Sequence, residues 1–359
     1  MPTIKPAIRG VPTIYIKNKI MATLQQFLNQ EIMTPLNSSS LQAMEAGYLS
    51  ALTDLSLIEV TGENAAEFLH NQLSNDVQHL ESDQARLAAY CTPKGRMLAS
   101  LLFWKTGSSI YLQISSTLQA TIQKRLQMFV MRAKVKLDNV SDEYVAIGLG
   151  GENAGKTLQL WFPQLPESLN AKIDNEFGSL IRAADAFGHA RYEWIIKRAA
   201  LENIWSELKG KLTQVSNSTW RRAEILAAIP HITDKTQELF VPQMVNFELI
   251  GGVNFKKGCY PGQEIVARSQ YLGKLKRRMF IAEIISSDVQ AGMEVFSSTD
   301  ASQPCGSIVN AEIQDENSYI CLVEMKVADQ EAGNIHLGGN SASTLKFLTL
   351  PYPMLDITQ

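Results

Sequence analysis

Apolar positions along the chain follow two periods, one near two residues and one near three and a half. Residues 56–60 read as a strand, and Thr61-Gly62-Glu63-Asn64 then opens a helix with Phe68, Leu69 and Leu73 on one side. Residues 86–91 and 97–105 read as paired strands around Thr92-Pro93-Lys94-Gly95. A second turn at Thr106-Gly107-Ser108-Ser109 returns the chain through residues 110–114. Leu118, Ile122, Leu126 and Phe129 recur at helical spacing, which predicts an amphipathic helix over 118–131. The middle of the chain repeats this grammar, with strands at 144–149 and 192–196 and helices at 199–208 and 218–228. From about residue 278 the texture changes to short apolar runs at 279–285, 307–313, 318–327 and 344–350, as expected of a small all-β barrel. Strands joined by hairpins and interleaved with helices predict an α+β fold rather than a doubly wound parallel sheet. The expected organisation is a disordered or extended lead over 1–48, α+β domains over 49–150 and 151–275, and a β-barrel over 276–359.

Composition narrows the possibilities. With 45% hydrophobic and 19% charged residues the chain has ample core material, and a net charge of -3 excludes a molecule that binds nucleic acid by bulk charge. Cys91, Cys259, Cys305 and Cys321 form no C-x-x-C pair, so neither a self-contained metal site nor a disulfide framework is expected, and a reducing, cytoplasmic setting follows. No apolar run approaches the roughly 18 residues of a membrane span. Lys5, Arg9, Lys17 and Lys19 precede the first acid, Glu31, but a mitochondrial transit segment would be richer in Arg and Ser. The five histidines show no ligand spacing.

Gly150-Gly151-Glu152-Asn153-Ala154-Gly155-Lys156-Thr157 fits the P-loop pattern, in which backbone N–H groups cradle phosphates, the lysine meets the terminal phosphates and the threonine holds magnesium. Three features oppose a nucleotide site. Pro163 and Pro166 shorten the following helix, no strong strand ending in a magnesium-binding Asp follows, and Glu152 brings negative charge to the phosphates.

The most unusual stretch is Lys256-Lys257-Gly258-Cys259-Tyr260-Pro261-Gly262-Gln263-Glu264-Ile265-Val266-Ala267-Arg268. Glycines flank the cysteine closely, and two lysines precede it, which favours thiolate. Gln263, Glu264 and Arg268 could meet a heterocycle or a carboxylate. A buried structural cysteine in a tight turn fits the same residues. A second basic group, Arg268, Lys274, Lys276, Arg277 and Arg278, could hold an anionic tail or contact RNA, or form a solvated strand edge.

Lys257-Gly258-Cys259-Tyr260-Pro261-Gly262-Gln263-Glu264 resembles the signature of the YgfZ family of folate-binding proteins, relatives of the glycine-cleavage T-protein. Phe240-Val241-Pro242-Gln243, Tyr271-Leu272-Gly273-Lys274 and Cys91-Thr92-Pro93-Lys94-Gly95-Arg96-Met97 are similar to that family too. The resemblance spans residue 49 to the C-terminus. It implies three domains around a central folate site, the last a β-barrel, with tetrahydrofolate or another reduced folate as cofactor. It implies a functional thiol at Cys259, with Trp220, Leu55, Lys257, Gly258, Gln263, Glu264 and Arg268 as folate-binding positions. It links the chain to tRNA modification and to the upkeep of iron–sulfur enzymes as partners. Leu55 stands where some relatives have an aromatic, and Leu226-Ala227-Ala228-Ile229-Pro230 lacks the carboxylate many relatives carry before that proline. Gly95-Arg96-Met97-Leu98-Ala99-Ser100 lacks the aspartate that manages the folate proton in the true T-protein, so classical aminomethyl transfer is not expected. A folate-dependent one-carbon transferase with displaced catalytic groups and a P-loop nucleotide-binding protein are the alternatives.

Overall fold

A computed structural model of the chain describes residues 26–28, 42, 44–271, 275–338 and 343–354. Strand β1 (Tyr48–Ala51) comes first, followed by β2 (Leu55–Thr61) and helix α1 (Ala65–His70). The hairpin β3 (Ala85–Cys91) and β4 (Met97–Thr106) leads to β5 (Ser109–Ser115), helix α2 (Gln119–Val130) and β6 (Lys136–Asn139). These strands form a five-stranded sheet in the order β3-β4-β5-β2-β6. Ile122 and Leu126 of α2 and Phe68 and Leu69 of α1 join its core. The helix over 118–131 is therefore found almost to the residue.

Strand β7 (Tyr144–Gly150) and helix α3 (Glu152–Leu158) follow, then β8 (Lys172–Asn175), β9 (Gly178–Ala186) and β10 (His189–Lys197). Helix α4 (Arg198–Lys211) and the short β11 (Thr213–Gln214) lead into helix α5 (Asn217–Leu226). The second sheet runs β11-β1-β7-β10-β9-β8. Strand pairing thus takes β1 and β7 out of the first sheet, although both adjoin it in sequence. Its helix-covered face buries Ala154, Leu158, Leu201, Trp205 and Leu208, and Phe27 packs on Trp205 with ring centroids 4.6 Å apart. Residues 26–28 are helical, so the expected disordered or extended lead contains a segment folded onto the core; most of that lead lies outside the described residues.

The first two sheets meet through Leu57, Trp104, Tyr111, Ile181 and Ile195. They are also stitched by Ala85 N–H to Asn170 C=O at 2.8 Å and Lys172 N–H to Asp83 C=O at 2.6 Å. Residues 228–256 then run without long regular elements. Met97 and Phe240, and Glu238 and Met97, exchange backbone hydrogen bonds of 2.8 Å along the first sheet. The Asn246 amide donates to Met279 C=O at 2.8 Å in the last sheet.

Helix α6 (Gln263–Tyr271) was not foreseen; it buries Val266 alone and so carries almost no apolar period. The third sheet comprises β12 (Arg277–Ile285), β13 (Glu294–Ser297), β14 (Asp300–Asp315), β15 (Ser318–Lys326), β16 (Ile335–Leu337) and β17 (Leu345–Leu348), with helix α7 (Val327–Ala332) after β15. Its order is β16-β13-β14-β15-β12-β17. Strand β14 starts earlier than its apolar run because its first half pairs irregularly with β13. Among the described residues no helix is long and apolar enough to cross a membrane.

Candidate functional site

The first two sheets and helix α5 line a cavity. Its walls are Leu55 from β2, Ser100 from β4, Gln113 and Ser115 from β5, Glu193 from β10, and Trp220 and Glu224 from α5. An adjoining recess, also bounded by Leu55, Trp220, Glu224 and His231, extends to Asn310 and Ala311 of β14. Trp220 and Glu224 lie four residues apart on α5, so both project from one helix face. Gly148 of β7 makes this possible: a Cβ there would stand 2.3 Å from the Trp220 ring.

Arg191 organises the wall. Its guanidinium lies 4.4 Å from the Trp220 ring centroid. Its Nη2 is 2.8 Å from Glu224 Oε1, and its Nε donates to Ala184 C=O at 2.7 Å. Glu224 Oε2 lies 3.3 Å from His231 Nε2. His231 is itself clamped, because its N–H donates to Asn310 Oδ1 at 2.9 Å and its carbonyl accepts from Asn310 Nδ2 at 2.8 Å. Glu193 accepts a hydrogen bond from the Gln113 amide.

These partners separate the two carboxylates electrically. Burial pushes Glu193 up to about 7, against the hydrogen bond from Gln113 and assisted by the negative Glu224. Burial also acts on Glu224, but Arg191 and His231 outweigh it and bring the carboxyl down to about 2. For His231, burial disfavours the charge, and the hydrogen bond and attraction of Glu224 overcome it, so its pKa is raised. Near neutrality the cavity therefore presents one fixed carboxylate and one carboxyl poised to gain or lose a proton.

The glycine-rich signature forms a separate loop. Lys257 is buried and donates to the carbonyls of His70 and of Leu73, the latter at 2.7 Å, with its ammonium 4.9 Å from the Tyr260 ring. Burial pushes Lys257 down to about 8. Lys257, one of the two lysines that precede the thiol, thereby fastens the loop to the end of α1. Gly262 adopts φ 83° and packs on the turn between β3 and β4. Gln243 Nε2 donates to Val266 C=O at 2.7 Å and anchors α6. On this frame Cys259 is exposed, whereas Cys91, Cys305 and Cys321 are buried. Burial pushes Cys91 and Cys321 up to about 12 and Cys305 up to about 11.

Of the positions singled out in the sequence, Leu55 and Trp220 meet in the cavity. Lys257, Gly258, Cys259, Gln263, Glu264 and Arg268 share the loop and its helix, and none of them lines the cavity. Gln263 Nε2 reaches Lys257 C=O at 3.4 Å, while Glu264 and Arg268 are exposed. The basic group after the signature is partly neutralised. Arg277 pairs with Glu324 at 2.8 Å and Arg278 with Glu248, and Lys274 lies outside the described residues.

Sequence reasoning missed Glu193, Glu224, Arg191 and His231. The carboxylate found wanting before Pro230 has counterparts in Glu224, on the preceding helix, and Glu193. A signal existed in Tyr192-Glu193-Trp194-Ile195-Ile196, an acid inside an otherwise apolar strand.

The P-loop pattern is built differently from a phosphate cradle. The chain entering β1 crosses over the turn, so that a Cβ on Gly151 would lie 2.7 Å from Gly47 Cα and 2.8 Å from Met44 C=O. Helix α3 is 7 residues long, and the Thr157 hydroxyl donates to Asn153 C=O at 2.8 Å. Among the described residues no group of three or more His, Cys, Asp or Glu could hold a metal ion.

Residues 12–178 match the family described as the GCVT N-terminal domain. A "tRNA-modifying protein YgfZ" of Colwellia psychrerythraea is 29% identical over 334 residues, covering 90% of this chain and 99% of the relative. The protein of the same name from Photorhabdus laumondii is 29% identical over 326 residues, covering 89% and 95%. Among solved structures, the glycine cleavage system aminomethyltransferase T from Bartonella henselae superposes with a TM-score of 0.73 at 14% identity, covering 92% of this chain and 96% of that one. The fold is that of this aminomethyltransferase T, and over about nine-tenths of its length the sequence is similar to proteins named tRNA-modifying protein YgfZ.

Proposed function

We propose that this chain is a folate-binding accessory protein, with tetrahydrofolate or a related reduced folate in the central cavity and a functional thiol at Cys259. It supports iron–sulfur-dependent enzymes of tRNA modification in the cytoplasm; the names of its relatives support the tRNA-modification part of this reading. The observation that carries the folate reading is the pairing of the Trp220 ring with the Glu224 and Glu193 carboxyls in one cavity. A pterin has a flat face and an edge rich in N–H donors, and these groups match both. When bound, the folate supplies a carrier nitrogen for one-carbon units. Trp220 and Leu55 would contact the ring, Glu224 and Glu193 would accept from its edge, and Arg191 would hold the indole and Glu224 in place.

In this reading the three sheets act as three units around the cavity, over 49–150, 151–275 and 276–359. The bridge between His336 and Thr344 supports closure of the last into a barrel. Cys259 stands apart from the cavity on an exposed loop, which supports a partner that meets the thiol at the surface. Titration of the purified protein with tetrahydrofolate, followed by tryptophan fluorescence, tests the proposal. Saturable quenching is expected, and its absence at millimolar ligand would refute the folate assignment.

One observation favours the alternative of one-carbon transfer. Glu193, poised at about 7, could manage a proton that the β3–β4 hairpin has no carboxylate to handle. Turnover of an aminomethyl or methylene donor that is abolished in Glu193→Gln would favour it.

A further inference from the structure

The signature loop is closed on itself and pinned to the first sheet. Phe255 and Tyr271 stand at the two ends of the segment and meet edge to face, with ring centroids 5.9 Å apart and an interplanar angle of 69°. Asn254 N–H donates to Ser74 C=O at 2.9 Å, and the Lys257 ammonium donates to Leu73 C=O at 2.7 Å. A Cβ on Gly95 would meet the Ile265 side chain of α6 at 3.0 Å. The β3–β4 turn, the loop and α6 therefore form one continuous surface, and Cys259 is exposed within it.

That surface is cationic and carries an open aromatic ring. Ile265, Arg268 and Tyr271 recur every three residues and make a ridge on the outer side of α6. Tyr271 is 68% exposed and Ile265 41%. Lys94 and Arg96 of the turn, Lys256 of the loop and Arg268 of the ridge are exposed as well. Arg96 donates to Leu239 C=O, whereas among the described residues Lys94, Lys256 and Arg268 form no ion pair. Two exposed acids oppose them: Glu264 of α6, and Glu238, whose N–H donates to Met97 C=O at 2.8 Å beside the turn. Cations outnumber acids here, in a chain whose net charge is -3.

The combination discriminates between partners. Phe255 supports Tyr271 by an edge contact, and the exposed tyrosine ring is a platform on which an unpaired base can stack. Unpaired cations around such a platform suit the phosphates on either side of that base. A lipid surface calls for a wider apolar face than Ile265 and Tyr271 supply. An acidic protein would pair with the cations but does not call for an open ring among them.

We propose that the surface around Cys259 docks RNA directly, with Lys94, Lys256 and Arg268 on phosphates and Tyr271 stacked on a base of an unpaired loop. The proposal rests on the tRNA-modification reading and deepens it, because it makes the RNA itself a partner that meets the thiol loop. The rigid anchoring of the loop through Asn254 and Lys257 holds the ring and the cations in place before the RNA arrives.

Titration of the full chain into a labelled RNA stem–loop and into a labelled RNA duplex of equal length, followed by fluorescence anisotropy at several salt concentrations, tests this. The stem–loop is expected to bind about tenfold more tightly than the duplex, with affinity falling steeply as salt rises. Lys94→Glu combined with Lys256→Glu should weaken stem–loop binding by about tenfold or more and lower the slope of log affinity against log salt by about one to two. Both side chains are exposed, so that variant should keep the native melting temperature and tetrahydrofolate affinity. Lys197→Glu, an equal change of charge on an exposed residue of β10, should leave RNA binding as it was. Tyr271→Ala should erase the preference for the stem–loop, and Tyr271→Phe should retain it. Saturating stem–loop should also slow alkylation of Cys259. Absence of saturable RNA binding at low salt would overturn the proposal and leave the surface to an acidic protein. Equal affinity for stem–loop and duplex, an equal loss in Lys197→Glu, or unslowed alkylation of Cys259 would overturn it too. The underlying reading fails by a different result: tRNA modification that persists in cells lacking the protein would refute it whatever the titrations show.

Discussion

Gly262 of the signature loop and Gly95 of the β3–β4 turn are pressed together: a Cβ on Gly262 would lie 2.7 Å from Gly95 Cα and 2.4 Å from Thr92 C=O. Both residues have positive φ, 83° and 73°. The two motifs that stood out in the sequence are therefore two halves of one contact: Gly262 cannot gain a side chain without moving backbone, and a Cβ on Gly95 would press on the Ile265 side chain at 3.0 Å. Gly262→Ala is expected to destabilise the protein by about 1–3 kcal/mol, from left-handed strain and the clash together. Thermal melting would register it, and an unchanged melting temperature would show that the loop accommodates the methyl.

Trp220 depends in the same way on Gly148. Trp220→Ala should weaken tetrahydrofolate binding by about 1–3 kcal/mol, the scale of a lost aromatic stack. Gly148→Ala should produce a loss of similar direction without removing the indole, because the new methyl occupies the ring's position. Fluorescence titration of both variants makes the check. Normal binding by Gly148→Ala would mean that the orientation of the indole is immaterial.

How far the sequence disclosed this site depends on the type of signal. Strands and the α2 helix were legible because burial imposes a period, as at Leu118, Ile122 and Leu126. Trp220 and the signature loop were legible through family likeness. The ion cluster of Arg191, Glu224 and His231 was not, since its members lie 33 and 7 residues apart on different elements and only the folded sheet brings them together. The separation of Cys259 from Trp220 was equally hidden. A motif records which residues a family keeps and carries no distance between them.

The P-loop pattern should prove inert. Lys156 is exposed, Thr157 is tied to Asn153, and residues 44 and 47 overlie Gly151. Lys156→Ala should match the native protein in folate binding and in melting temperature. ATP with magnesium should leave the melting temperature unshifted, because a ligand stabilises only by binding the native state. A magnesium-dependent rise with ATP would contradict this.

Stability should peak in mildly acidic solution. Glu193 has its folded pKa raised to about 7, so its favourable contribution is complete below the ordinary carboxyl value of about 4.5 and is lost as pH rises toward 7. Glu224, brought down to about 2, contributes above about 4.5 and loses that contribution as pH falls toward 2. His231, with a raised pKa, contributes below about 6.5 and loses it as pH climbs through its folded value. Glu193→Gln keeps a group able to bond Gln113 and removes the buried charge. It should gain about 1–3 kcal/mol over the native protein at pH 8 and almost nothing at pH 4.5. Melting temperatures across pH 4–9 decide this; a constant offset between the two proteins would mean that Glu193 does not titrate in that range.

Cys259 offers the sharpest contrast among the cysteines. It is exposed on a loop held by Lys257, while burial holds the other three thiols at pKa values of about 11 to 12. Since the thiolate is the reactive form, brief alkylation of the native protein at pH 7.5 should label Cys259 alone, and all four should label in denaturant. Mass spectrometry of the digested protein reads this directly. Cys259→Ser changes a surface atom, leaves the Lys257 anchor intact and lies outside the cavity. The variant should therefore melt like the native protein and bind tetrahydrofolate with unchanged affinity. In cells lacking the native protein it should fail to restore iron–sulfur-dependent tRNA modification, because serine is a far poorer nucleophile and metal ligand than a thiolate. Full restoration by a folded Cys259→Ser protein would remove the thiol from the proposed function and leave the folate cavity to account for it.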